Sequence, residues 1–117
     1  MNSRLLPKRK TSSAKSELAR IESPLDAASF YNGLLLAGLM KEVEYESTTG
    51  SGKIKKFLRL VDGTEQIGFN RESGFHEFKT ESRFYVDSFY DAYILSVNSI
   101  AQHASALFES VNGSREE

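Results

Sequence analysis

Lys41-Glu42-Val43-Glu44-Tyr45-Glu46 and, after a Thr/Ser/Gly-rich break, Lys53-Ile54-Lys55-Lys56-Phe57-Leu58-Arg59-Leu60 decide how this chain is read. In the first stretch glutamates alternate with Val43 and Tyr45. In the second, Ile54, Leu58 and Leu60 alternate with Lys53, Lys55, Phe57 and Arg59. A period of two is the signature of half-buried strands. A two-residue turn at Gly50-Ser51 sets Val43 opposite Leu58, Glu46 opposite Lys55 and Glu42 opposite Arg59, and each opposite-charge pair contributes roughly 0.2–1 kcal/mol. Asp62-Gly63 is a preferred type I′ hairpin dipeptide and sets Leu58 against Ile67. Ser73-Gly74 as a third turn places Phe69 against Phe78. All three turns preserve one apolar face. The expectation is an α+β fold whose sheet is a four-stranded antiparallel meander over 41–48, 53–61, 65–70 and 75–80, with one face covered by helices and the other open to water.

Helices flank this region on both sides. Ala14, Leu18 and Ile21 stand at helical spacing and predict a short helix over 13–22. Ser23-Pro24-Leu25-Asp26 reads as a helix start, with Ser as cap and Pro at the first helical position, and the helix runs to about Leu39. Its Leu-rich second half has almost no polar face and calls for cover on several sides. From Val86 onward, Tyr90, Tyr93, Val97, Ile100, Ala104, Leu107 and Val111 recur at alternating intervals of four and three. No Pro or Gly interrupts them. The pattern predicts one helix of roughly 25 residues, about 37 Å long, flanked by further apolar residues at Phe89, Ile94, Ala101 and Phe108. One flank is expected on the sheet. The distal seam, Ile100, Ala104, Leu107 and Val111, is the candidate interface of a homodimer.

The 117 residues are 39% hydrophobic and 26% charged, which suits one domain with a modest core. Residues 1–11 read as a flexible basic tail, 12–113 as the domain and 114–117 as a disordered tail. Leu5-Leu6 is followed at once by Pro7-Lys8-Arg9-Lys10, unlike a secretory leader, and no apolar run is long enough for a membrane span. Cysteine is absent. That excludes disulfides and thiol chemistry and fits a reducing compartment, so the cytoplasm is the expected location.

Chemistry-bearing motifs are few. His76 and His103 fall on different elements with no ligand set at metal spacing, so neither a metal nor a cofactor is expected. Thr49-Gly50-Ser51-Gly52-Lys53 lacks the spacing of a phosphate loop and leads into a strand, so it reads as a hairpin turn. No serine stands in a nucleophile elbow. Glu42, Glu44 and Glu46 are expected on an exposed strand face, away from the enclosed setting that general-acid catalysis needs. The chain is expected not to be an enzyme.

Charge is the more informative property. The net charge of −1 divides into +5 over residues 1–20 and −6 over the remainder. A basic arm carrying Arg4, Lys8, Arg9 and Lys10, with a sheet face presenting Lys53, Lys55, Phe57 and Arg59, suits nucleic acid: cations meet phosphates and rings stack on bases. The element order is similar to that of the Pur and Whirly proteins, in which a meander precedes a long helix; that resemblance implies single-strand binding and pairing through the helix. The Leu-rich helix followed by a hairpin is similar to a winged helix. The expected function is a small regulatory or accessory protein that binds nucleic acid through its arm and sheet face. A protein-binding adaptor or inhibitor of a larger protein machine is the alternative, favoured by the acidic body and the weakly polar helix surface.

Overall fold

In the computed structural model of the protein the described residues are 9–46, 52–72 and 80–115, with backbone alone for 112–115. Five strands and three helices follow in the order β1 (Thr11–Ser12), α1 (Ala14–Arg20), α2 (Ala27–Leu36), β2 (Met40–Glu46), β3 (Ile54–Leu60), β4 (Gly68–Glu72), β5 (Thr80–Tyr85) and α3 (Phe89–Arg115). A 3-10 turn, Val86–Ser88, leads into α3. The architecture is α+β with two antiparallel sheets, β1-β5-β4 and β2-β3, and a long C-terminal helix.

Local chemistry explains the helix ends. The Ser13 side chain accepts from the Ser16 amide and caps α1. The cap of α2 is Asp26, three residues later than expected, because Ser23 Oγ is used earlier by the Leu25 amide. At the other end of α2, Gly38 takes φ +79°, the Leu39 amide donates to Leu34 O and the Gly38 amide to Leu35 O. This is a Schellman ending, which absorbs the last carbonyls and turns the chain directly into β2.

The core is a meeting of three rings from three elements. Phe30 of α2, Phe84 of β5 and Phe89 of α3 are all fully buried, with centroids 5.2–5.9 Å apart. Beside them α2 and α3 approach closely. Ser96 Oγ donates to Phe30 O at 2.8 Å, and a Cβ placed on Gly33 would lie 1.9 Å from Ser96 Oγ and 2.6 Å from Ser96 O. Gly33 is therefore required by packing, against its own poor helix propensity. The expected cover of the Leu-rich segment is incomplete: Leu35 and Leu36 are exposed.

The meander is where the expectation fails. β3 and β4 do not pair, and Asp62-Gly63 forms no two-residue hairpin. The Val61 amide donates to Leu39 O, Thr64 Oγ1 donates to Val61 O, and the Ile67 and Gly68 amides donate to Thr64 O, so residues 61–67 make a compact loop. Between the sheets the Asn70 side chain stands in for a strand. Its Oδ1 accepts from Leu60 N and its Nδ2 donates to Leu60 O, both at 2.9 Å, while Ser82 Oγ donates to Oδ1 at 3.2 Å. One carboxamide thus satisfies both backbone groups that a meander would have paired.

Strand positions shift accordingly. The expected fourth strand, 75–80, overlaps the observed β5 only at Thr80, and residues 73–79, with the proposed Ser73-Gly74 turn, His76 and Phe78, lie outside the described residues. β5 is Thr80–Tyr85, pairing Gly68 with Phe84 and Phe69 with Arg83. The β2-β3 hairpin forms, one residue out of the expected register: Met40 opposes Leu60, Lys41 opposes Arg59, Val43 opposes Phe57 and Tyr45 opposes Lys55. The reason is burial. Met40 and Leu60, 3% and 2% exposed, sit together at the base of the hairpin, and their burial outweighs the turn preference at its tip.

Two variants test this packing. Gly33→Ala would add about 1 kcal/mol to an unconstrained helix; here it should instead lower the melting temperature by roughly 5–15 °C, from an overpacking cost of about 1–3 kcal/mol. Asn70→Asp should be destabilised at neutral pH, since a carboxylate accepts from Leu60 N but repels Leu60 O. Protonation restores a donor, so the folded state raises the pKa of the new carboxyl. The deficit should be smallest below the ordinary carboxyl pKa of about 3.9 and grow as pH rises through the raised value. Urea midpoints that differ from wild type by the same amount at acid and neutral pH would remove the Asn70 donor from the joint.

Candidate functional site

The one-residue register shift sorts the charges of the hairpin. In an antiparallel pair, directly opposed residues share a face. Lys41, Val43, Tyr45, Lys55, Phe57 and Arg59 therefore lie on one face. Glu42, Glu44 and Glu46 lie on the other, with Met40, Leu58, Leu60 and Lys56. The expected Glu46–Lys55 and Glu42–Arg59 pairs do not form. Glu46 opposes Ile54, Glu42 opposes Leu58, and on the acidic face Lys56 pairs with Glu42 at 3.5 Å. Like charges, Lys41 and Arg59, oppose each other instead. That juxtaposition costs stability in a sheet unless an anion lies between them.

On the basic face, Lys41 and Lys55 are exposed and have no ion-pair partner among the described residues. Arg59 is half-buried, and its Nε is covered and has no hydrogen-bond partner there. Phe57, read as an exposed ring, is only 8% exposed and packs edge-on against Tyr45 at 5.7 Å. Lys53 is exposed at the tip, beside Gly52 with φ +73°. The face is a basic strip with an aromatic floor.

The second sheet shows a contrasting use of charge. On the outer face of β1-β5-β4, Arg9 lies over the Tyr85 ring at 3.8 Å, its Nε donates to Asp87 Oδ2 at 3.2 Å, and its Nη2 donates to Asp87 Oδ1 and to Ser88 Oγ. Arg71 pairs with Glu81 at 2.8 Å, and Arg83 reaches Glu81 and the Thr11 carbonyl. Each of these guanidinium groups has a carboxylate partner, although Arg83 Nε, like Arg59 Nε, is covered and has no hydrogen-bond partner among the described residues. Of the basic arm, Arg4 and Lys8 lie outside the described residues, Arg9 is pinned to the body, and Lys10 is exposed while its carbonyl accepts from the Val86 amide. Residues 9–12 thus run along β5, paired through Thr11 with Tyr85 and Ser12 with Phe84. A two-residue strand is too short to announce itself by periodicity.

The structure does not bring the basic arm and the hairpin face together as one described site. The four proposed interface residues of α3 stay together: Ile100 is half-buried, and Ala104, Leu107 and Val111 are exposed. His103 is exposed on the same helix. Among the described residues no group of three or more His, Cys, Asp or Glu side chains converges on a metal-sized site, and no helix is long and apolar enough to cross a membrane.

No family model matches the sequence, and comparison with curated proteins and with solved structures gives no match either.

The arm contact carries a pH dependence. The Arg9 guanidinium holds the Asp87 carboxyl below the usual carboxylate range, and Asp87 in turn raises Arg9. A depressed acid pKa stabilises the docked arm above the ordinary value and is lost as pH falls through the folded value. The protection factor of the Val86 amide, its exchange rate corrected for the intrinsic pH dependence, should therefore fall at acid pH and in Arg9→Ala. Unchanged protection in that variant would show that the backbone pairing alone holds the arm.

Proposed function

We propose that this chain is a small non-catalytic accessory protein that binds nucleic acid through the basic face of the β2-β3 hairpin, assisted by its basic arm. A single observation carries the reading. The register of β2 against β3 collects Lys41, Lys55 and Arg59 on one face and removes Glu42, Glu44 and Glu46 to the opposite one. A backbone of phosphates supplies the anion that the opposed Lys41 and Arg59 lack. Sequence-independent contact with single strands suits a strip of cations beside an aromatic pair. The cysteine-free composition suits a reducing compartment, and we place the protein in the cytoplasm.

A protein-binding adaptor is the second reading, favoured by the exposed apolar side chains of α3, Leu107, Phe108 and Val111. Pulldown from a native lysate with and without nuclease separates the two. Partners lost with nuclease support the first reading; partners that survive it support the second.

The direct test is binding to single-stranded oligonucleotides at several salt concentrations. Each neutralised phosphate contributes about −0.7 to the log–log slope for single strands. Lys41→Glu with Lys55→Glu should weaken binding and flatten the slope by about 1.4, whereas Lys56→Glu, on the acidic face, should change little. Removal of residues 1–8 should flatten it further if Arg4 and Lys8 contribute. Wild-type affinity and slope in the Lys41/Lys55 variant would overturn the hairpin site. Phe57→Ala is a poor probe, since the ring is buried and its loss costs about 3–5 kcal/mol of stability when fully packed.

A further inference from the structure

α3 carries two apolar stripes, and the rest of the chain covers one. Phe89, Ala92 and Ser96 are fully buried against α2 and the sheet. Roughly 110° around the helix, at 100° per residue, a second stripe runs for three heptads. It is formed by Tyr90, Ile94, Val97, Ala101, Ala104, Phe108 and Val111, at intervals of four and three residues. Tyr90 is 62% exposed, Ile94 44%, Phe108 67% and Val111 51%, Ala101 and Ala104 are exposed too, and Val97 is half-buried where the seam borders the body. This seam is rotated from the one read in the sequence, because Tyr93 and Ile100 turn toward the core and are half-buried. Beyond Ile100 the helix leaves the body altogether: every residue from 101 to 111 is exposed.

We infer that a second copy of this chain covers the seam, with the two α3 helices antiparallel about a two-fold axis between Ala101 and Ala104. Three observations select this occupant. The first is size. Antiparallel layering about that point places Ala101 against the partner subunit's Ala104, Val97 against the partner's Phe108 and Ile94 against the partner's Val111. Small side chains let the backbones approach at the centre, and large ones fill the space on either side.

The second is charge. The positions flanking the seam on its outer side are Asp91, Asn98 and Ser105, so a highly charged partner helix finds almost nothing to pair with, while a second copy meets an equally neutral flank. The third is area. Every residue from 101 to 111 is exposed, and Tyr90 and Ile94 carry the apolar strip back along the body, so three heptads of seam are offered to an interface that removes about 800 Å² from each partner of a stable dimer. The free half of one helix lies along the body-anchored half of the other, so the arrangement is isologous and closes at two copies.

Sedimentation equilibrium of the full chain should give twice the chain mass, and Phe108→Glu should give a monomer with unchanged helix content, since Phe108 touches little in the single copy. With no native cysteine, orientation is read by cross-linking. Chains carrying Ile94→Cys and chains carrying Val111→Cys should form a mixed disulfide with each other and almost none with themselves, because like positions are separated by 17 residues of helix, about 25 Å. A wild-type chain that remains monomeric up to millimolar concentration, or a dimer indifferent to Phe108→Glu, overturns the interface. Self-linked chains in each single-cysteine variant overturn the antiparallel arrangement. None of these measurements involves nucleic acid, so their failure would leave the hairpin reading standing.

Discussion

Leu60 presents an N–H and a carbonyl at the inner edge of β3, and the side chain of Asn70 satisfies both. Buried backbone groups without partners cost about 1–3 kcal/mol each, so this edge needs either a neighbouring strand or a substitute. A carboxamide is the one uncharged side-chain group with a donor and an acceptor at peptide-like spacing. By using it, the chain ends one sheet and begins another without a continuous ladder. Ser82 steadies the amide from the next strand. Gly68 lets the two sheets approach, since a Cβ there would lie 3.2 Å from Leu60 Cδ1, and it also fits against β5 of its own sheet, where that Cβ would lie 2.2 Å from Arg83 O.

The joint holds Leu60 with its side chain in the core, and the rest of the hairpin inherits that orientation. Met40 comes to oppose Leu60, even-numbered residues turn inward at the base, and the odd-numbered basic residues share the other face. Charge sorting on the hairpin is therefore a consequence of core burial, several residues away from the charges themselves. The same logic acts on α3. The Phe30–Phe84–Phe89 cluster and the Gly33–Ser96 contact fix which stripe of the helix faces inward, and the remaining stripe is left along its outer flank.

Periodicity made the three helices and the β2-β3 hairpin legible, whereas cap chemistry placed the start of α2 three residues early. It misplaced what depends on contacts distant in sequence. Turn dipeptides at Gly50-Ser51 and Asp62-Gly63 are local signals of modest energy. Gly50-Ser51 lies outside the described residues, but the register expected from it gives way to Met40–Leu60 burial, and Asp62-Gly63 gives way to the 61–67 loop. Asn70 did offer a clue: an asparagine between Phe69 and Arg71, in a strand environment that disfavours it, marks a position where the side chain does something specific. β1 offered none. On α3 the heptad was visible, but two seams fit the same apolar residues, and only the position of Phe89, Ala92 and Ser96 in the core distinguishes them.

The register of β2 against β3 joins the fold to the candidate site, and it is directly observable in solution. Cross-strand nuclear Overhauser contacts should connect Met40 with Leu60 and Val43 with Phe57. Contacts of Val43 with Leu58 and of Glu42 with Arg59 would instead return the glutamates to the basic face and contradict both the joint at Asn70 and the surface argued from it.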